Sequence, residues 1–241
     1  MSKPTGKKSS IAWSKDGNCL ALGSNNLELW RFDGRKMTPV KSYSEDFVDI
    51  KIVVWSPDSQ SIAYGGLSKK NTIKIKNIQL GATRDLPIPL AVSGISFDPF
   101  GKYLVILLRN NVISVYNTSN LSKVKEIPLS PTDPHNNTNT VKEIRIMDWS
   151  PDFNHLICPS LDDSKVSLAL NLSRNSGFKI RQAFLGHVSS LSCSSFNPNL
   201  YEFQGEVTSI LALGDSHGVI SLWRIGKTVY STPLLIINSN S

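Results

Sequence analysis

Paired cysteines, long apolar runs and sustained helical periodicity are all missing from this sequence, and each absence narrows what the chain is. Only three cysteines occur among 241 residues. Cys19, Cys158 and Cys193 are far apart, sit within or beside apolar stretches and lack the paired spacing of a zinc site. They are read as three reduced, mostly buried thiols. The longest apolar runs, such as YLVILL at 103–108, fall far short of the roughly 20 residues a membrane helix needs. The opening MSKPTGKKSS has basic residues but no apolar segment behind them, so it does not read as a secretory signal. An intracellular location is expected, and the sequons at Asn117, Asn120, Asn136 and Asn171 then carry no weight. No stretch keeps the spacing of an amphipathic helix over three turns, so very little helix is expected.

Catalytic equipment is missing as well. His135, His155, His187 and His217 do not fall at ligand spacing, so neither a metal nor a catalytic histidine is expected. The pair Asp162-Asp163 imitates a carboxylate dyad, but its place in a tight turn makes it a solvated turn. Gly23 and Gly65-Gly66 stand at strand ends where the chain must turn or pack closely, and no glycine-rich loop opens a helix, which argues against nucleotide binding. The SPD triplets at 56 and 150 are turn residues by their place in the pattern. Ser130-Pro131 is the better candidate for proline-directed phosphorylation. No cofactor and no enzymatic activity are expected.

What the chain does have is positive charge. Twenty-six Lys and Arg against 19 Asp and Glu give a net charge of +7 and a pI near 9.3. Lys3, Lys7 and Lys8 form a short basic start, while the other cations are scattered in no stripe interleaved with aromatics. A solvated surface is the main reading. Such a surface suits acidic partner segments or a DNA backbone better than direct contact with another basic protein.

It also has an internal repeat. An apolar strand ending in an aromatic and followed by a small polar turn recurs as IAWSKDG, IVVWSPD, GISFDPFG, RIMDWSPD and SCSSFNP. The aromatics are Trp13, Trp55, Phe97, Trp149 and Phe196, at steps of roughly 42 to 52 residues, the length of one four-stranded repeat unit. After each turn come two more short strands, as in CLALGSNNLELW and ILALGDSHGVISLWR. The alternation in TIKIKNI and VISVY is that of half-buried strands. Units of this kind cannot bury their own faces and must stack, as blades around a channel do. An all-β propeller is expected, with a basic segment at 1–10 and blades near 11–34, 50–80, 92–120, 144–172 and 187–226. The Pro/Asn/Thr-rich stretch 128–140 reads as a long loop between blades, NLSRNSGFK as a second excursion, and TPLLIIN as the opening strand of a further blade.

The segment LGHVSSLSCSSFNP, with Gly186-His187, followed by GVISLW ending at Trp223, resembles a WD-repeat unit. In that family the histidine joins a turn aspartate, a strand Ser/Thr and the tryptophan in a buried hydrogen-bond network, which assigns a blade-fixing role to His187 and Trp223, with Trp13, Trp30, Trp55 and Trp149 as further blade residues. The match is partial: His217 stands where the aspartate is expected, Asp215 lies two residues earlier, and Arg224 replaces the aspartate of the terminal Trp-Asp pair. The order of the blades, with FNPNLYEF placed before ILALGDSHGVISLWR, resembles the propeller of the HIRA/Hir family of histone chaperone subunits from about Ser10 onward. The propeller subunit of chromatin assembly factor is a sister possibility. The Hir resemblance implies a nuclear, non-catalytic scaffold for replication-independent histone deposition and transcriptional repression, working with ubinuclein/Hpc-like and Hir3/cabin-like subunits and meeting histones through them. Family propellers have seven blades, so a chain showing five is expected to be a fragment or a shortened paralogue. A generic WD-repeat adaptor of another intracellular pathway is the alternative.

Overall fold

Short β-branched and aromatic runs punctuated by Gly, Pro, Asn, Asp and Ser favour antiparallel strands joined by tight turns over helices. The computed structural model describes residues 7–68, 70–110, 112–128, 147–159, 167–171, 179–184, 187, 191–226 and 234–238, and among these there is no helix. Lys3, Ser130, Pro131, His135, Asn136, Asp162, Asp163 and Gly186, with nearly all of the loop to 140 and of the excursion after Asn171, lie outside the described residues.

The strands form five antiparallel sheets, of the meander kind consistent with propeller blades. The first runs β1 (Ser10–Trp13), β2 (Cys19–Gly23), β3 (Asn26–Phe32) and β4 (Met37–Ser44); the second β5 (Phe47–Trp55), β6 (Ser61–Ser68), β7 (Thr72–Asn77) and β8 (Thr83–Pro87). The third holds β9 (Val92–Phe97), β10 (Tyr103–Leu108), β11 (Val112–Asn117) and β12 (Lys123–Pro128). The fourth holds β13 (Asp148–Trp149), β14 (His155–Pro159), β15 (Ser167–Asn171) and β16 (Lys179–Phe184). In the fifth, β17 (Leu191–Phe196), β19 (Glu206–Asp215), β20 (Val219–Ile225) and β21 (Leu235–Asn238) follow one another, and the short β18 (Tyr201–Phe203) pairs with β19.

One register unites the five. The aromatic that closes each first strand faces an apolar residue of the second: Trp13 opposite Leu20, Trp55 opposite Ile62, Phe97 opposite Leu104, Trp149 opposite Leu156 and Phe196 opposite Leu211. Because side chains alternate across a strand, this shared register puts equivalent residues on equivalent faces in every sheet.

The chain divides into two compact units, the first taking in the first three sheets apart from a few residues of β11 and β12, the second the fourth and fifth. In the first unit, Ala21, Leu27 and Leu29 meet Val53, Trp55, Ile62 and Tyr64 in one core. A second core joins Ile52, Ile73 and Ile75 to Ile95, Phe97, Leu104 and Ile106. The second sheet is therefore covered on both faces. Each such Leu or Ile contributes about 1.5–3 kcal/mol by leaving water. In the second unit Ile157 packs with Leu211, Leu213, Trp223 and Ile225.

Three expectations are corrected. The alternating strands TIKIKNI and VISVY are buried on both faces: Lys76 at 7% exposure lies beside Ile75, and Ser114 is as fully buried as Ile113. Alternation marks a wet face only when one side of a strand stays open to water, and here the residues on both sides are buried. TPLLIIN does not open a new unit, since its LIIN is β21, the fourth strand of the fifth sheet, pairing with β20. Of the cysteines only Cys158 is buried; Cys19 is half-buried and Cys193 exposed. The strand-end glycines do pack closely: a Cβ at Gly66 would collide with the Asp49 carbonyl, and one at Gly23 would come within 2.9 Å of the Ile50 carbonyl.

Candidate functional site

The turn that follows each aromatic is built from a small set of side chains. In the first sheet Ser14 Oγ donates to Asp16 Oδ1 at 2.5 Å and accepts from the Cys19 amide at 2.9 Å, while Asp16 Oδ1 accepts from the Asn18 amide at 3.1 Å. The second repeats this with Ser56, Asp58, Ser61 and Gln60, and the fourth with Ser150, Asp152, His155 and Asn154. In the third, Asp98 stands in the serine's place and accepts from the Tyr103 amide at 2.6 Å. Spacing of Ser, Asp and Asn two residues apart is what lets each side chain reach the backbone of a tight turn. With Ser56 and Ser150 buried and bonded in this way, the SPD triplets are turn elements.

These turns also set electrostatics. The hydrogen bond from Ser14, helped by Asn18, holds the Asp16 carboxyl below its ordinary range. Burial pushes the Asp152 carboxyl up, but hydrogen bonds from Ser150 and Asn154 outweigh it and keep that group low. At Asp98 burial wins and the carboxyl is raised, despite backbone donors from Tyr103, Phe100 and Lys102.

At the fifth sheet four buried residues, Trp223, Ser221, His187 and Asp215, form one chain of hydrogen bonds. Trp223 Nε1 donates to Ser221 Oγ at 2.8 Å, Ser221 Oγ lies 2.7 Å from His187 Nε2, and His187 Nδ1 lies 3.3 Å from Asp215 Oδ2. Both ring nitrogens of His187 thus have a partner, the Ser221 hydroxyl on Nε2 and the Asp215 carboxylate on Nδ1. Asp215 Oδ1 meanwhile accepts from the amides of His217 and Val219, at 2.9 and 3.0 Å, across a turn whose Gly218 has φ 81. The aspartate's place is thus taken by Asp215, and His217 contributes only its backbone. Arg224 lies over the Phe203 ring at 3.5 Å from its centroid.

The other tryptophans occupy distinct settings. Trp55 is buried and its Nε1 donates to the Ala12 carbonyl of the first sheet at 3.0 Å. Trp30 is buried with Nε1 3.3 Å from Glu28 Oε2, and Trp149 is half-buried. Trp13 is 49% exposed, edge-on to Phe32 at 6.0 Å, with Ile11 beside it 65% exposed. By the shared register Trp13 is the counterpart of Trp55, so the first sheet turns outward the very face that the second buries against it.

A charge cluster that the sequence did not signal lies at one end of the second sheet. Glu45, its side chain 5% exposed, accepts from the Tyr64 hydroxyl at 2.7 Å and from Lys74 Nζ at 3.0 Å, with Lys76 Nζ at 3.5 Å. Lys76 also donates to Thr83 Oγ1 at 2.7 Å and lies 4.2 Å over the Tyr43 ring. Burial, reinforced by Glu45, raises the Tyr64 phenol far above its usual range. Burial opposes the Lys74 charge, yet the bond to Glu45 and the nearby carboxylates outweigh it and raise that ammonium. A cavity of about 500 Å³ opens beside the cluster, lined by Asp46, Phe47, Val48, Ser68, Lys70, Thr72, Lys74 and Asp85. Its charges are balanced and its hydroxyls have no histidine beside them, so its chemistry is that of a polar recess. In TIKIKNI the two lysines read as a solvated face, which is why the sequence hid them. Of the histidines, His155 is buried near Asp152, His187 lies in the network and His217 in its turn.

No protein-family model matches the chain. Curated relatives do. Protein HIR1 of Cryptococcus neoformans is 27% identical over 98% of this chain and 28% of its own length. Protein hir1 of Schizosaccharomyces pombe is 26% identical over 92% of the chain and 25% of itself. Histone transcription regulator slm9, also of S. pombe, is 23% identical over 96% of the chain and 27% of itself. The chain spans about a quarter of the length of these relatives. Along nearly its whole length, then, this chain is a homologue of the HIR1 and slm9 proteins of the HIR family.

Proposed function

We propose that the chain is the WD-repeat propeller region of a Hir-type histone chaperone subunit, a non-catalytic nuclear scaffold for replication-independent nucleosome assembly and transcriptional repression. The observation that carries this reading is the match, over 84 to 98% of the chain, to HIR1 proteins. A related protein named as a histone transcription regulator matches over 96%. The geometry supports it. Five sheets share one register, one is fixed by an Asp-His-Ser-Trp network, and the outward face of the first carries Ile11 and Trp13 where its neighbour carries Val53 and Trp55. These five sheets act as blades of a seven-bladed ring. Its partners are ubinuclein/Hpc-like and Hir3/cabin-like subunits. Histones are met through them, since a chain of net charge +7 repels other basic proteins, and that charge suits acidic segments or DNA.

The test is purification of the tagged chain from nuclear extract at moderate salt, with mass spectrometry of what accompanies it. Recovery of ubinuclein/Hpc-like and Hir3-like subunits with histones is expected. A different stable set of partners without histones overturns the chromatin reading in favour of an adaptor in another pathway.

A further inference from the structure

The second sheet has a neighbour packed on each face, and the cavity of about 500 Å³ opens at its end, where β5 begins and β6 meets β7. Four charged side chains line it, and they differ in what already holds them. Lys74 Nζ lies 3.0 Å from the buried Glu45, which neutralises it from behind. Asp46 is the opposite case: its side chain is fully exposed and its Oδ2 lies 3.9 Å from Lys74 Nζ. Asp85 stands across from Lys74 in the β7–β8 register and is exposed, and among the described residues its carboxylate has no hydrogen bond or ion pair. Residues facing each other in this way have Cβ atoms about 5 Å apart, so the two carboxylates flank one ammonium. Lys70 is the fourth charge, exposed and likewise without an ion pair among the described residues. With Lys74 held by Glu45, two open carboxylates face one open ammonium, and the recess favours a cation. One wall is apolar, made by Phe47 and by Val48, which is 71% exposed.

We propose that this recess receives an arginine side chain from an extended segment of a partner protein, its guanidinium between Asp46 and Asp85 and its methylene stem against Phe47 and Val48. An apolar wall with a few placed polar groups is the usual make-up of a binding pocket, and a long cationic side chain matches both parts. Arginine fits better than lysine. Its planar fork of five donors reaches two carboxylates and the Thr72 hydroxyl together, whereas an ammonium is a strongly hydrated point charge. Val48 gives the residue beside the arginine an apolar seat, which favours a protein segment over a free guanidine. The positive charge of the whole chain does not decide the matter, because salt screens exposed charges beyond about 10 Å while the groups of the recess act in contact.

The test uses the whole chain and a fluorescein-labelled peptide of sequence GSVRVSG, with versions that carry lysine, citrulline or glutamate in place of the arginine. Binding is read by fluorescence anisotropy at moderate salt. The arginine peptide is expected to bind about tenfold more tightly than the citrulline peptide, which keeps the shape without the charge, and also more tightly than the lysine peptide. Asp46→Asn and Asp85→Asn should each weaken it several-fold, and Lys70→Gln should tighten it. Glu126→Gln on β12, an equal loss of negative charge, should leave it unchanged, while Val48→Ser should weaken it. Equal binding of the arginine and citrulline peptides, or full binding by the Asp46→Asn, Asp85→Asn double variant, overturns the proposal. Tighter binding of the glutamate peptide overturns it too and assigns the recess to an anion. Competition by N-acetylarginine amide as strong as by the unlabelled peptide overturns the assignment to a protein segment. No nuclear protein takes part, so failure here is distinct from failure of the chromatin reading.

Discussion

At the scale of single residues, the buried network makes the sharpest predictions. Ser221 Oγ links the Trp223 indole to His187 Nε2, so Ser221→Ala takes a hydrogen-bond partner from two buried polar groups at once. A loss of about 1–3 kcal/mol is expected in urea unfolding followed by tryptophan fluorescence. His217→Ala removes a side chain outside the network and should stay within about 0.5 kcal/mol of the parent. Asp152 gives a pH dependence. Its folded pKa lies below 3.8, so on acidification the unfolded state takes up the proton first. Its stabilising contribution is complete above that value and disappears as pH falls through the lower folded value. Asp152→Asn should therefore be less stable near neutrality yet lose less stability between pH 4 and 2, as measured by urea titrations across that range. His187 and Trp223 were legible in the sequence because Gly-His and a strand-ending tryptophan are local signals. Asp215 was not, because the turn that brings it to His187 is set by Gly218 and two backbone amides, and linear spacing pointed to His217.

At the scale of elements, strands and turns were readable because period and punctuation are local properties, whereas burial is not. The lysines of β7 look solvent-facing in sequence and are held against Glu45 by sheets stacked on both sides. Glu45→Gln leaves two largely buried ammonium groups facing a neutral amide and should cost about 3 kcal/mol in thermal or urea unfolding. Glu45→Gln combined with Lys74→Met and Lys76→Met should recover much of it, because the loss arises from charges left unpaired. Close approach of β5 to β6 depends on Gly66, whose missing Cβ makes room for the Asp49 carbonyl. Gly66→Ala should destabilise by about 1–3 kcal/mol by the same assay, since backbone cannot yield as a side chain does. β21 was misjudged for a related reason: its apolar sequence suits a first strand as well as a fourth, and only the pairing with β20 decides.

At the scale of the whole molecule, kinship was legible through order more than through any one motif. The individual turns and aromatics are common to many repeat proteins, but their succession, with insertions ahead of the fourth and fifth units, led to the Hir family, and the relatives match along nearly the whole chain. No partner surface was legible, because which apolar side chains stay exposed, as Ile11 and Trp13 do, is decided only by folding. The central claim is that this chain is a scaffold of a Hir-type assembly that reaches histones through other subunits. Cross-linking mass spectrometry of the purified nuclear assembly tests it most directly. The account predicts cross-links from this chain to ubinuclein/Hpc-like and Hir3-like subunits, with histones linked to those subunits and not to it. Cross-links solely to proteins of another pathway, with no histone in the assembly, would contradict it.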